Sequence, residues 1–136
     1  GNVEDTSTGV ARRYRADVVI SATSQEEVVS RLPALVAEIR SMHVYARQEV
    51  KKRWGRMPPH FISGFLYSRK KRTRDRWVNP DAEYYVGKFE WRSPTADSKL
   101  LPLEMSGDGI IRIDEGIAYQ ASPRWPPSNL HVPNNP

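Results

Sequence analysis

The chain contains no cysteine, few aliphatic residues and no long apolar run. Without cysteine it can form no disulfide, hold no thiolate-ligated zinc ion and use no thiolate nucleophile. Its 7 Leu, 7 Ile, 12 Val and 3 Phe make up about 21% of the residues, so the core must also use its 4 Trp and 6 Tyr. No segment approaches the roughly 18 apolar residues of a membrane span, and the N-terminus lacks the hydrophobic stretch of a signal peptide. We therefore expect a soluble, intracellular protein.

The motifs of several reaction centres are absent as well. Neither phosphate-binding loop, GxxxxGK(S/T) or GxGxxG, occurs. No histidines have the spacing of metal ligands, and no serine lies in an elbow-type turn. We therefore predict no metal site and no cofactor, and we assign no catalytic residue. One enzymatic alternative is a metal-independent ribonuclease, since acid–base cleavage of RNA needs only a His or Glu pair beside cations; its candidates are His43 and His60.

Positive charge is concentrated in one part of the chain. Between Arg47 and Arg76, eleven basic and two acidic residues give a net charge of +9, whereas the whole chain carries +5. Such segregation produces a local positive field and favours a polyanionic partner. Six of the eight residues from Arg69 to Arg76 are basic, and so many like charges cannot be buried. We predict that this basic segment projects as a hairpin tip or loop.

The first half of the chain predicts a strand followed by a helix. Residues 1–11 are polar and predict a flexible segment. Alternating apolar residues over 14–21 predict a strand, and the Ser24 to Glu27 capping box predicts a helix start. Apolar residues then recur every three or four positions as far as Trp54, which predicts one long helix that kinks or restarts at Pro33. Gly55 and two prolines end it.

The second half predicts short strands and an extended tail. The period changes to two at His60, and strands are expected at 60–68, 77–78, 84–92, 100–105, 110–113 and 117–120. Five of the last fifteen residues are proline. The predicted fold is therefore α+β: a single domain over residues 12–121, with the long helix packed on an antiparallel sheet of five to six strands, between the flexible segment 1–11 and the Pro-rich tail 122–136.

Aromatic residues interleaved with the cations favour a nucleic-acid-binding function. Cations hold phosphates while exposed aromatic rings stack on bases. No helix-turn-helix pattern is present, so a single-stranded partner is expected, either RNA or single-stranded DNA, with RNA favoured. The predicted binding residues lie on the helix end, on the basic segment and in the flanking aromatics: Arg47, Lys51, Lys52, Arg53, Arg56, Tyr67, Arg69, Lys70, Lys71, Arg72, Arg74, Arg76 and Trp77. We expect the two basic clusters to form one patch; separated clusters would favour an extended groove along the strand between them.

Two further interpretations compete with this one. The chain could be a structural or adaptor protein of a virus, a phage or a ribonucleoprotein particle, with protein partners bound through its tails. The basic segment could alternatively serve as a localisation signal or contact an anionic membrane surface.

Overall fold

The computed structural model describes residues 2–68, 84–96, 105–113 and 116–126. In chain order these contain β1 (Asn2–Asp5), β2 (Arg13–Val19), α1 (Gln25–Arg40), α2 (Gln48–Trp54), β3 (Phe61–Tyr67), β4 (Tyr85–Arg92), β5 (Ile110–Ile113) and β6 (Ile117–Ala121). The strands form one sheet in the order β1-β2-β3-β4-β6-β5. The α+β class is confirmed, and the strands of the second half lie close to their predicted positions where they are described.

The sheet is mixed rather than wholly antiparallel. β2 and β3 run parallel, with Arg13 opposite Phe61 and Val19 opposite Tyr67, while the other neighbouring pairs are antiparallel. A parallel pair needs a long crossover connection, and α1 and α2 supply it between the two strands. The alternating pattern within each strand does not specify its direction relative to its neighbours, which is why the antiparallel prediction was wrong here.

The predicted long helix is two helices. α1 begins as expected, with the Ser24 hydroxyl accepting from the Glu27 N–H at 3.2 Å, and it continues through Pro33 to Arg40. The chain then leaves the helical conformation between Ser41 and Arg47, before α2. The regular spacing of apolar residues therefore continues from α1 into α2, and for this reason it did not predict the break between the two helices.

The break between α1 and α2 is stabilised by side chains from β1, from β2 and from Arg12, the residue before β2. The Tyr14 hydroxyl donates to the Met42 carbonyl at 2.7 Å, and the Arg12 guanidinium donates to the Val44 carbonyl at 2.8 Å. The Asp5 carboxylate accepts from the Ala46 N–H at 2.8 Å. These contacts replace intrahelical hydrogen bonds, so the backbone groups of the linker remain satisfied without a helix.

The N-terminal segment is also more ordered than its composition predicts. Asn2–Asp5 forms β1, which pairs with β2 at the edge of the sheet. The Asp5 carboxylate forms a completely buried ion pair with Arg12, with 3.1 Å between Asp5 Oδ1 and Arg12 Nη1. The prediction of a flexible segment over residues 1–11 was therefore wrong, because the polar side chains that suggested flexibility are used in long-range contacts.

The core lies between α1 and one face of the sheet. As predicted, α1 packs on the sheet, and its buried side chains belong to one core with apolar and aromatic side chains from the four central strands. The residues from α1 are Val28, Leu32, Val36 and Ile39, and those from the strands are Tyr14, Ile62, Leu66, Phe89, Trp91, Ile117 and Tyr119. Trp125 also joins this core, so the first residues of the predicted extended tail are packed against the domain. Within the described ranges, neither helix has the length and apolar character needed to cross a bilayer.

Several predictions fall on residues outside the described ranges. These are the basic segment Arg69–Arg76, the predicted strand at 77–78, most of the predicted strand at 100–105, and the tail beyond Pro126. They stay predictions from sequence.

Candidate nucleic-acid interface

The cations predicted on the helix end lie on α2 and its flanks. Arg47 is the N-cap residue of α2, and its side chain makes no capping hydrogen bond. All five cations of this group are exposed: Arg47, Lys51, Lys52, Arg53 and Arg56. Within the part of the chain that the structure describes, none of the five forms a salt bridge with a carboxylate. We call this group the α2 cation cluster.

Aromatic rings position two members of the α2 cation cluster. The Arg53 guanidinium lies 4.2 Å from the centre of the Trp54 ring, and the Lys51 ammonium lies 6.0 Å from that of Tyr45. The Trp54 ring is almost fully buried, and its indole N–H donates to the Thr8 carbonyl at 2.9 Å. Trp54 therefore anchors α2 to the N-terminal segment and is not available as a platform for base stacking.

Tyr67, by contrast, does not have the exposure predicted for it. Only 2% of its surface is accessible, and its ring lies 5.9 Å from Tyr84 and 6.1 Å from Tyr85, centre to centre. Burial, with a smaller effect from Asp17, raises the pKa of the Tyr67 hydroxyl to about 12. Tyr67 is a packed tyrosine rather than a stacking platform, because β3 is an inner strand with neighbours on both sides. Trp77 lies outside the described residues.

No hydrogen bond joins the two histidine candidates within the described ranges. His43 is exposed in the linker between α1 and α2. His60 accepts a hydrogen bond at Nδ1 from the Arg12 backbone N–H at 2.9 Å, and its own backbone N–H donates to the Arg12 carbonyl at 2.7 Å. Its ring packs edge-on against Trp54, and burial lowers the pKa of the imidazole. His60 thus joins the start of β3 to the start of β2.

A second group of cations lies on the sheet, and the sequence analysis missed it. The face of the sheet opposite α1, which we call the far face, carries Arg13, Arg15, Lys88, Arg92 and Arg112 at alternating strand positions. The Arg15 guanidinium lies 5.3 Å from the centre of the Phe65 ring, and that of Arg92 lies 5.3 Å from Phe61. The signal was available, because Arg13 and Arg15 alternate with the buried Tyr14 and Ala16.

Acidic groups also contribute to the far face. Asp17 and Glu90 lie among these cations, so the charge is mixed rather than uniformly positive. The Glu90 carboxylate lies 3.7 Å from the Arg92 guanidinium, and one of its oxygens accepts from the Met105 N–H at 3.2 Å. The strongest unpaired positive charge among the described elements is therefore on α2.

In the order of the chain, the α2 cation cluster precedes β3 and the basic segment follows it. The helix α2 precedes Phe61, and the basic segment follows Ser68. A seven-residue strand spans roughly 20 Å. The expected single patch is not tested, since the basic segment lies outside the described residues, but the far-face cations lie on the strands between the two ends.

Comparisons with protein families, with curated proteins and with solved structures found no match. Among the described residues, no three His, Asp or Glu side chains cluster as a metal site would require. The candidate interface is therefore argued from its charge and geometry alone.

Proposed function

We propose that this protein binds single-stranded nucleic acid, with RNA favoured, through the α2 cation cluster. The observation that carries the proposal is the exposure of five cations on and beside one short helix, without a carboxylate partner in the described part of the chain. From Arg47 to Arg56 the net charge is +4, since Glu49 is the one acidic residue. Solvated cations of this density attract phosphates and release the counterions condensed on the strand.

The contacts that attach α2 to the domain support a role of its cations in binding rather than in solubility alone. Trp54 and Val50 are buried, and Arg53 also donates to the Gly9 carbonyl at 3.2 Å. The helix is therefore fixed to the domain while its cations stay in solvent. A fixed array of cations loses less conformational freedom on binding than one on an unattached chain.

The far face supports a longer binding path along the sheet. Guanidinium groups held above aromatic rings, as Arg15 is above Phe65, keep a defined orientation and present their N–H donors to phosphate oxygens. The sequence-predicted basic segment, from Arg69 to Arg76, would extend the path beyond Ser68.

Charge-matched variants test the proposal. Lys52→Ala/Arg56→Ala removes two cations of the α2 cluster, and Arg31→Ala/Arg40→Ala removes two cations from α1. Affinity for a fluorescein-labelled RNA of about ten nucleotides is measured by anisotropy over a range of salt concentrations. We expect the α2 variant to weaken binding and to flatten the log–log salt slope by roughly 0.7 for each phosphate that is no longer neutralised, and the α1 variant to do neither.

A variant of the basic segment separates its contribution from that of α2. Arg69, Lys70, Lys71 and Arg72 are replaced together by Ala, and we expect affinity to fall similarly for unrelated sequences with little change in melting temperature. Equal affinity in the parent and in both the α2 and the basic-segment variants would contradict the proposal. Absence of RNA binding by the parent would favour the structural or adaptor function instead.

A further inference from the structure

The exposed guanidinium of Arg53 is held in a fixed plane at the end of α2. Its central carbon lies 4.2 Å from the centre of the Trp54 ring, and its Nε–H donates to the Gly9 carbonyl at 3.2 Å. Within the described ranges, the four N–H groups on its two terminal nitrogens form no hydrogen bond. Arg53 therefore presents a flat, oriented cation whose remaining donors are available to a ligand.

The Trp54 ring beneath this guanidinium is itself fixed. The ring is almost fully buried, and its indole N–H donates to the Thr8 carbonyl at 2.9 Å. It also packs edge-on against the His60 ring, with 5.4 Å between the two ring centres. Trp54 has no free face for a ligand, but it supports Arg53, whose side chain is exposed.

Two exposed apolar side chains border the Arg53–Trp54 pair. Val10 is 59% exposed and Met57 is 45% exposed, and they are two of the three large apolar residues with such exposure in the described ranges. Val10 follows Gly9, whose carbonyl is bonded to Arg53, and the Met57 N–H donates to the Trp54 carbonyl at 3.0 Å. A flat apolar ring that covered these side chains would remove apolar surface from water.

A second arginine–tryptophan pair lacks these neighbours. On α1, the Arg40 guanidinium lies 4.3 Å from the centre of the Trp91 ring, and Arg40 is exposed as well. The one other cation of α1 is Arg31, and it lies 3.6 Å from the Glu27 carboxylate. The Arg53–Trp54 pair, by contrast, belongs to the α2 cation cluster. Only this pair therefore combines a stacked guanidinium with several exposed cations that could hold adjacent phosphates.

We propose that Arg53 binds an unpaired nucleobase of the strand that the α2 cation cluster holds. The base stacks on the exposed face of the guanidinium and contacts Val10 and Met57 at its edges, while the neighbouring phosphates meet the other cations of the cluster. A base inside a duplex is covered on both faces by its neighbours, so this site selects single strands. The inference rests on the proposed function, because the site binds a base of that same strand.

Two chains of equal length and charge test for base stacking. A labelled oligouridine of about ten nucleotides is compared with a ribose–phosphate chain of the same length that carries hydrogen in place of every base. Both are titrated with the parent protein, with Arg53→Lys and with the matched control Arg40→Lys. We expect the parent to bind oligouridine at least about fivefold more tightly than the abasic chain. Arg53→Lys should reduce this ratio to below about twofold with an unchanged salt slope, because lysine keeps the charge but has no plane, while Arg40→Lys should keep the ratio.

The outcomes separate the two proposals. If the parent binds both chains with equal affinity, or if Arg53→Lys keeps the ratio, the base site is refuted and nucleic-acid binding stands. If the parent binds neither chain, the proposed function itself fails.

A measurement on the parent covers the case in which Arg53→Lys perturbs the attachment of α2. Both chains are titrated into protein labelled with ¹³C at the methyl groups of methionine and valine. Larger shifts of the Met57 and Val10 methyl signals with oligouridine than with the abasic chain support the site. Equal or absent shifts at these two residues refute it.

Discussion

Replacing Arg12 by methionine should destabilise the domain more than any surface change. The Arg12 side chain is completely buried, and its guanidinium donates to the Asp5 carboxylate, the Tyr14 hydroxyl and the Val44 and Met57 carbonyls. Arg12→Met keeps an unbranched side chain of similar length and removes the charge and these donors. Asp5 would then be a buried carboxylate without its cation.

The magnitude follows from the removal of one partner of a buried ion pair. Such a change costs about 3 to 5 kcal/mol, because the remaining carboxylate is buried without its cation and keeps only neutral donors such as the Ala46 N–H. Small domains unfold with free energies of about 5 to 15 kcal/mol, so the variant should lose a third or more of the stability of an average domain. The change also releases the Val44 carbonyl, so the linker between α1 and α2 should lose its fixed conformation.

Urea denaturation followed by tryptophan fluorescence measures this destabilisation. Arg13→Met is the control, since Arg13 lies next in sequence but on the far face, where its Nε makes no hydrogen bond. We expect the control to cost less than about 1 kcal/mol. In the double variant Asp5→Asn/Arg12→Met, the destabilisation should be smaller than the sum of the two single effects, because the charge left behind is gone. An Arg12→Met variant as stable as the Arg13→Met control would refute the reasoning.

Two further predictions concern the anchoring of α2. Trp54→Ala should cost about 3 to 5 kcal/mol, because Trp54 is buried and its indole N–H is bonded to Thr8; a melting temperature within a few degrees of the parent would contradict this. The free energy of unfolding should also fall with acidification. Burial lowers the pKa of His60 below 6.5, so the unfolded state binds the proton more tightly than the folded state does. The contribution of neutral His60 to stability is therefore complete above pH 6.5 and is lost as the pH falls through the pKa of the folded state. Urea titrations at several pH values should show this decline in the parent and a smaller one in His60→Asn, whose amide oxygen accepts from Arg12 without titrating; equal declines would count against it.

The elements that depend on local pattern were predictable from sequence. β3 and β4 alternate in a way that is typical of strands, and the Ser24 hydroxyl marks the start of α1 as the capping box predicts. The break after Arg40 was not predictable, because it depends on the hydroxyl of Tyr14 and the guanidinium of Arg12 reaching backbone groups about thirty residues away. Local sequence patterns carry no information about such long-range hydrogen bonds.

The candidate site was predictable only in part. The α2 cation cluster is exposed, as its charge density requires, but Tyr67 is buried because an inner strand leaves little surface for its ring. The far-face arginines were missed since they are separated in sequence and meet only through the pairing of β2, β3 and β4.

The parallel pairing of β2 with β3 has a consequence for how the chain folds. Arg13 must meet Phe61, 48 positions further along, whereas Ile113 of β5 pairs with Ile117 of β6, only four positions away. Closing the longer loop costs more entropy, so non-local pairs of this kind slow the folding of a domain. During synthesis, β2 and β1 leave the ribosome well before β3 does. Until β3 is available, the edge of β2 that pairs with it has no hydrogen-bonding partner. The central sheet can therefore form only after residues 61–67 have emerged.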